Sequence, residues 1–537
     1  LSVENISFLH RLDQILALIA MTQLIFHLIL SRDKRQFFRM NRMDFFFVFF
    51  FWGALLTIMA GKGLEVSKLL VFLTQGYLIG FLILRLPAFN KLMFIARLRP
   101  PLVVLTTFIL IIMVGTCLLL LPRSLSPDKS LSVLNALFTA ASATCVTGLV
   151  VVDTGSHFSF MGQIIILCLI QVGALGLMTF TSFFAVLSGK EFSVKDRALL
   201  GDILSRSSLG SLGMLISFIL LMTFIIEAIG ALLLYPQFLP GAKDSLQALH
   251  YSIFHSISAF CNAGFCLFSD SFMQYRANFA VNLTMTALII VGGLGFIVNA
   301  NLLKWIYLRL RKKRAILTLQ TKLVLLISAV LIVVGTILIL LGENGETLQD
   351  LPWKTRFLGA YFQSVTARTA GFNTLNIGSL ALSSTFLLMV LMFIGASPGS
   401  TGGGIKTSTF ATLLFTIKSM AEGKSRIEVF KRSIPRIVVY QSLCVVTLAL
   451  GWIAISTLIL TFTEQTSLAT IVFEDLSAFG TVGLSRGLTS HLSAVGRIII
   501  ISTMLVGRIG PLTLALIVAG RRVSKHYEYP EEPIAVG

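Results

Sequence analysis

The chain has 537 residues, of which 55% are hydrophobic and only 12% charged, with a mean hydropathy of +0.89; a soluble domain carries about twice that charge. Apolar runs near 20 residues recur along the whole length, enough to cross a hydrocarbon layer of ~30 Å, which excludes a soluble globular domain and predicts an all-α polytopic membrane protein. The net charge of +19 is the Lys and Arg excess expected of cytoplasmic loops and predicts no nucleic-acid partner, while six cysteines without CxxC spacing predict neither zinc nor a disulfide framework.

Residues 1–100 read as a module of N-terminal extra transmembrane helices, with apolar stretches at Leu12–Leu30, Asp44–Ala60 and Lys68–Leu86. The basic loop Ser31–Arg42 is expected to be cytoplasmic. Asp13 and His27 leave open whether the first stretch spans or lies at the interface. No cleavable signal pattern is expected in the opening residues.

Four units of about 110 residues follow, 101–206, 207–316, 317–432 and 433–522, before a cytoplasmic tail at 523–537. Each is expected to hold a span, a short helix, a loop ending in Gly and a second span. The first gives 102–122, 132–144, 145–149 and 160–188. The second gives 212–236, 245–260, 261–265 and 277–305. The third gives 321–342, 352–367, 368–372 and a broken span, 380–397 plus 405–420. The fourth gives 435–462, 466–479, 480–484 and 491–520. Cap-type residues open the short helices: Ser130 or Ser132, Asp244 or Ser245, Asp350 with Pro352, and Thr466 or Ser467. None of these helices is long enough to cross a bilayer, so each is expected to be re-entrant.

The loops share one pattern: SATCVTGL at 142–149, SAFCNAGF at 258–265, VTARTAGF at 365–372 and SAFGTVGL at 477–484. Their glycines, Gly148, Gly264, Gly371 and Gly483, are 116, 107 and 112 residues apart. A small residue stands five positions before each (Ala143, Ala259, Thr366, Ala478) and a ring ten before (Phe138, Phe254, Tyr361, Phe473). Repeats at matched offsets must be read before any single element. The segments after the second spans are all basic (Lys190–Arg206, Lys304–Arg314, Lys418–Arg436, Arg521–Lys525), which puts the Gly loops toward the outer face and makes the repeats parallel rather than inverted. Non-helical backbone persists at membrane depth only where protein buries it or where it lines a water-filled path. A loop behind a half-helix aims carbonyl oxygens and the helix's negative end at a cation. Taken singly, each Gly reads rather as a helix-packing or C-cap residue; four at matched offsets read as one ring.

Three further stretches carry chemistry or constraint. The second spans repeat V-G-x-[LI]-G at 172–176, 291–295 and 506–510, the last being VGRIG with Arg508. The third unit replaces it with IGASPGSTGGGIK at 394–406. With the four Gly loops, these motifs resemble the Trk/Ktr/HKT superfamily of potassium translocators over about residues 100–520. The resemblance implies a pore-forming subunit of a potassium uptake system with one pore per chain. Its selectivity filter falls on Cys145, Val146, Thr147 and Gly148; Cys261, Asn262, Ala263 and Gly264; Arg368, Thr369, Ala370 and Gly371; and Gly480, Thr481, Val482 and Gly483. An intramembrane gate is implied at Gly399, Ser400, Thr401, Gly402, Gly403, Gly404 and Lys406, with Arg508 below the filter. It further implies a homodimer in the cell membrane and a cytosolic ring of RCK-type subunits that bind ATP, ADP or another nucleotide. No cofactor is expected in this chain and K+ is the transported ion; Gly in all four filters goes with potassium in this superfamily, and Ser in the first with sodium.

Several residues have two readings. Arg508 is either a barrier at the pore axis or half of a buried ion pair with Glu227. Arg368 either lies beside the pore, where it would repel K+, or turns back into the wall to pair with an acid such as Asp475 or Glu474. Asp153 either concentrates cations at the mouth or is an exposed loop acid. His250 and His255 read as wall residues. GASPG at 395–399 nearly fits G-x-S-x-G, and Gly399–Lys406 is a P-loop one residue out of register, but neither follows a strand. No enzyme is expected. The alternatives are a sodium or mixed monovalent cation translocator, an intramembrane hydrolase using Ser397 or Ser400, and a transporter of larger solutes.

Overall fold

The computed structural model describes residues 100–187, 212–314, 316–424, 426–511, 513 and 515. The N-terminal stretches of 1–99, all of Lys190–Arg206 within 188–211, and Arg521–Lys525 with the tail 523–537 lie outside the described residues. The chain divides into two compact units, and the second, Arg99–Phe180 with Arg197–Gly537, holds almost everything described below.

Helices dominate. In chain order they are α1 (Pro100–Leu119), α2 (Val133–Cys145), α3 (Thr154–His157), α4 (Phe160–Leu187), α5 (Leu212–Phe238), α6 (Ser245–Phe260), α7 (Phe279–Leu294) and α8 (Phe296–Leu310). Then come α9 (Leu319–Gly342), α10 (Trp353–Thr366), α11 (Leu382–Phe393), α12 (Thr407–Ala421), α13 (Arg436–Thr463), α14 (Leu468–Gly480) and α15 (Ala494–Ile509). Three of the described helical segments, Ile219–Gly241, Leu319–Gly342 and Arg436–Thr463, are long and apolar enough to cross a membrane unbroken. Their outward faces carry exposed Leu221, Leu232, Leu341 and Phe462, a pattern that water would penalise and lipid favours.

The short helices α2, α6, α10 and α14 run 13, 16, 14 and 13 residues, or about 20–24 Å at 1.5 Å per residue. Among the candidate caps, Ser132 accepts from Asn135 N, Asp244 from Gln247 N and Ser467 from Thr470 N. α10 starts after Pro352 with no side-chain cap. These helices sit at the centre of the unit rather than its rim. Phe138, Phe254 and Phe473 are fully buried on them, as are Ala143, Ala259, Thr366 and Ala478, while Tyr361 is half-buried.

The second spans correct one expectation. They read as continuous in three units and broken in the third alone, yet each of them departs from helix at the same motif. Gly176, Gly295 and Gly510, the last residue of each V-G-x-[LI]-G, have φ of 70°, 90° and 95°. At Gly295 the axes of α7 and α8 differ by 104°. Only Gly takes such φ without strain, so the motif's final Gly is a built-in break. The third unit differs in what it inserts there, a long loop between α11 and α12. A hairpin of β1 (Ile427–Val429) and β2 (Arg432–Ile434) also interrupts the basic segment before α13, packing Val429 near Leu323, Ile327 and Ala411.

Candidate functional site

The four Gly loops meet in a closed ring. A Cβ built on Gly148 would collide with the Ala263 carbonyl oxygen, one on Gly264 would lie 2.9 Å from that of Ala370, one on Gly371 would strike that of Val482, and one on Gly483 that of Thr147. The contacts run once round in one direction. Each glycine therefore abuts the carbonyl of the residue preceding the next glycine, and a side chain at any of the four would displace its neighbour's backbone. Two residues earlier, the backbone is again left-handed: Val146 has φ 59°, Asn262 59°, Thr369 77° and Thr481 48°. Three of these are β-branched, and left-handed conformation costs such a residue about 1–2 kcal/mol, so surrounding contacts must hold it there.

Those contacts are visible. Thr147 N and Val482 N donate at 2.8 Å to the carbonyls of Ser142 and Ser477, whose hydroxyls accept from Gly148 N and Gly483 N at 3.1 Å. In the second loop Ala263 N donates to Ser258 O at 2.8 Å, and the Ser258 hydroxyl donates to Phe265 O. The third loop has Val365 in place of the serine. Its Ala370 N reaches Thr366 O instead, one residue later, so this loop is wound more tightly than the other three. When the Asn262 amide is oriented to donate to Ala259 O and Ile289 O, its oxygen accepts from Thr369 Oγ1 at 3.2 Å, linking loops two and three.

The first loop positions face backward into the wall. Cys145 is fully buried, Cys261 donates to Gln171 Oε1 at 3.3 Å, and Gly480 leaves no room for a Cβ beside Met392 O. Arg368 does turn into the wall, but toward a different partner from the acids expected. Its guanidinium donates to Ser328 Oγ on α9 at 3.0 Å. Asp475 is occupied by Ser456 and Thr457 on α13 (2.6 and 2.9 Å), and Glu474 by Ser485 and Thr489. Ser328 lies 40 residues from Arg368, with no sequence offset to announce it.

On one side of the ring is a cavity of about 330 Å³, lined by all four glycines, Asp153 and Arg486 among others. Asp153 also caps α3, accepting from the Ser156 N–H and hydroxyl at 2.7 Å. Nearby His255 is a wall residue: Nε2 accepts from Leu267 N at 3.1 Å, which leaves Nδ1 to donate to Tyr251 O at 2.7 Å.

On the other side, the loop between α11 and α12 contacts the underside of the ring. Gly403 N donates to Thr481 Oγ1 at 3.0 Å, Thr401 Oγ1 donates to Phe260 O at 3.3 Å, and a Cβ on Gly402 would collide with Thr369 Oγ1. Ser397 N donates to Gly293 O and Phe296 N to Gly399 O, fastening the loop to the break between α7 and α8. Both cations of the region bind this loop. Lys406 Nζ donates to Gly402 O at 2.7 Å, and Arg508 donates through separate nitrogens to Thr401 O on the loop and Gly173 O on α4. The alternative reading of Arg508, an ion pair with Glu227, is not borne out. Glu227 accepts from Gln171 at 3.1 and 3.2 Å instead. Ser397 Oγ accepts from the Thr407 hydroxyl and has no acid–base partner among the described residues, so the G-x-S-x-G likeness carries no nucleophile. The rest of the loop divides by contact: the buried Ser400 hydroxyl meets no partner among the described residues, while Gly404, with φ 68°, turns the chain back toward α12.

The first glycine of each V-G-x-[LI]-G has a reason that composition alone does not supply. A Cβ on Gly173, Gly292 or Gly507 would penetrate the last carbonyls of the neighbouring short helix, at Thr144, Phe260 and Phe479 respectively. Chemically, a ring of backbone carbonyls with no acidic side chain suits a monovalent cation, replacing part of its hydration by dipoles without a net charge that would trap it.

A family model described as TrkH, cation transport protein, matches residues 73–526. The chain is 41% identical over 443 residues to the Ktr system potassium uptake protein B of Bacillus subtilis (strain 168), covering 82% of this chain and 97% of that protein. It is 39% identical over 448 residues to the potassium/sodium uptake protein NtpJ of Enterococcus hirae, covering 82% and 98%. Among solved structures, the potassium transporter TrkH from Vibrio parahaemolyticus shares the fold with a TM-score of 0.62 at 18% identity, over 90% of this chain and 98% of that one.

Proposed function

The chain belongs to the TrkH family of cation transport proteins, transporters and not enzymes, and from that premise we propose that it is the pore-forming subunit of a potassium uptake system in which K+ passes through the ring of four Gly loops. The observation that carries the reading is the one-way closure of Gly148, Gly264, Gly371 and Gly483 on one another's carbonyls. Four short helices direct their negative ends at this ring and lower the energy of a cation there. With one Gly per loop, the filter offers about one well-formed site, so K+ sheds water over a short distance and leaves readily.

Gating falls to the loop at 399–404 with Lys406 and Arg508. The loop's contacts with loops two, three and four, and the Arg508 bonds to Thr401 O and Gly173 O, support this role because a Gly-rich segment and a positive charge lie directly beside the ring. Charge bias in the connecting segments supports a cytoplasmic C-terminus and an outward cavity. The relatives named as components of a Ktr system support assembly with a second subunit type, here a cytosolic nucleotide-binding RCK-type ring, on a homodimer of this chain.

The test is Rb+ flux into liposomes holding this chain alone, with K+, Na+ and Cs+ as competitors. Saturable Rb+ uptake inhibited by K+ is expected; uptake indifferent to K+ would sink the proposal. A sodium or mixed translocator is the second reading, favoured by the name of the Enterococcus hirae relative. Equal inhibition by Na+ and K+ would select it.

A further inference from the structure

Only two of the described residues lining the cavity above the ring carry formal charge, Asp153 and Arg486, and their signs are opposite. Both are held in place. Asp153 is fixed by its two bonds from Ser156. Arg486, three residues beyond Gly483, donates from its guanidinium to Gly378 O at 3.3 Å. Its backbone is clamped as well. Buried Glu474 accepts from the hydroxyls of Ser485 and Thr489, which flank it, and Gly487 N donates to Ser485 Oγ at 3.0 Å. The guanidinium bond and the clamp on its flanking residues place the Arg486 charge at the mouth.

We propose that Arg486 is an affinity-setting residue: its fixed positive charge offsets the attraction of Asp153 and raises the K+ concentration at which the path half-saturates. The inference rests on the reading of the ring as the cation path. Taken as a sphere, the cavity is about 9 Å across, so its wall charges lie within about one Debye length of the ring at 0.1 M salt (about 10 Å). Coulomb repulsion over that distance, in a medium between bulk water and protein surface, changes local cation occupancy by about two- to fivefold.

The test is the half-saturation concentration for Rb+ uptake into proteoliposomes, for the full chain and for R486Q, R486K and D153N. R486Q is expected to lower it about two- to fivefold and D153N to raise it by a similar factor, while R486K stays at the parent value. In about 0.5 M N-methylglucamine chloride the differences should collapse, because the screening length falls to about 4 Å. An unshifted R486Q overturns the proposal, as does a shift that survives high salt. R486K behaving like R486Q also overturns it, since the bond to Gly378 rather than the charge would then be what matters. Absence of saturable Rb+ uptake in the parent chain would instead remove the cation path itself, and this inference with it.

Discussion

Arg508→Ala is expected to free the Gly-rich loop and raise flux. The guanidinium ties Thr401 O on the loop to Gly173 O on α4. A hydrogen bond from a charged donor contributes about 1.5–3 kcal/mol, so the pair contributes at least about 3 kcal/mol. At about 1.36 kcal/mol per decade, a loss of that size raises the displaced-loop population about a hundredfold. The loop would not unfold, because Lys406–Gly402, Gly403–Thr481 and Ser397–Gly293 remain. Initial Rb+ uptake by proteoliposomes should therefore rise between tenfold and a hundredfold, until the ring itself limits the rate. Arg508→Lys should fall between, since one ammonium cannot bridge both carbonyls. An unchanged rate in an Arg508→Ala protein that melts at the parent temperature would refute the barrier role, and a reduced rate would mean that Arg508 holds the path open.

Gly371→Ala should cost about 2–5 kcal/mol, from left-handed strain at φ 81° and overpacking against Val482 O, visible as a lower melting temperature together with lost uptake. Gly451→Ala is its control: nothing lies within 4 Å of a Cβ there, so the change within α13 should raise stability by up to about 1 kcal/mol and leave uptake alone. Gly148→Ser makes the same kind of clash as Gly371→Ala, with Ala263 O, so uptake should fall, and in the uptake that remains K+ should lose preference over Na+ in competition assays; an unchanged preference would show that the first loop does not select. Arg368→Met replaces a buried guanidinium whose side-chain bond is to the neutral Ser328 by an apolar chain of similar length; the melting temperature should hold or rise, and a large fall would reveal an anionic partner.

The ring was readable from residues alone because matched offsets report shared backbone tasks: the Gly, the small residue five before it and the aromatic ten before it are all consequences of the same tight geometry. Helix bounds were readable for a related reason, as Ser132, Asp244 and Ser467 cap where capping residues are expected. What stayed hidden was the sign of φ and the long-range partner. An apolar run through Gly295 looks continuous, since hydropathy carries no information on whether a glycine is left-handed. The hairpin at 427–434 was missed because its turn, Phe430–Lys431, has two positive φ values without the usual Asn or Gly, within a stretch dominated by charge. Arg368 meeting Ser328, and Arg508 meeting Thr401 and Gly173, depend on which helices pack together, and one sequence does not encode that in any local pattern.

The one-way ring also sets an order of assembly. No loop has its neighbour's carbonyl until the next unit is made, and the circle closes only when Gly483 reaches Thr147; the Arg508–Gly173 tie spans a comparable distance, 335 residues. At roughly 5–20 residues per second, the first loop waits on the order of 20–60 s for its last neighbour during synthesis. Through that interval the first loop has its own Ser142 bonds, while Gly371 lacks the Val482 carbonyl and Gly403 the Thr481 hydroxyl. A nascent chain arrested before the fourth unit should carry an open arc of three joined loops, with Gly371 and Thr147 at its unpaired ends, so that completion of translation is the step that closes the centre of this protein.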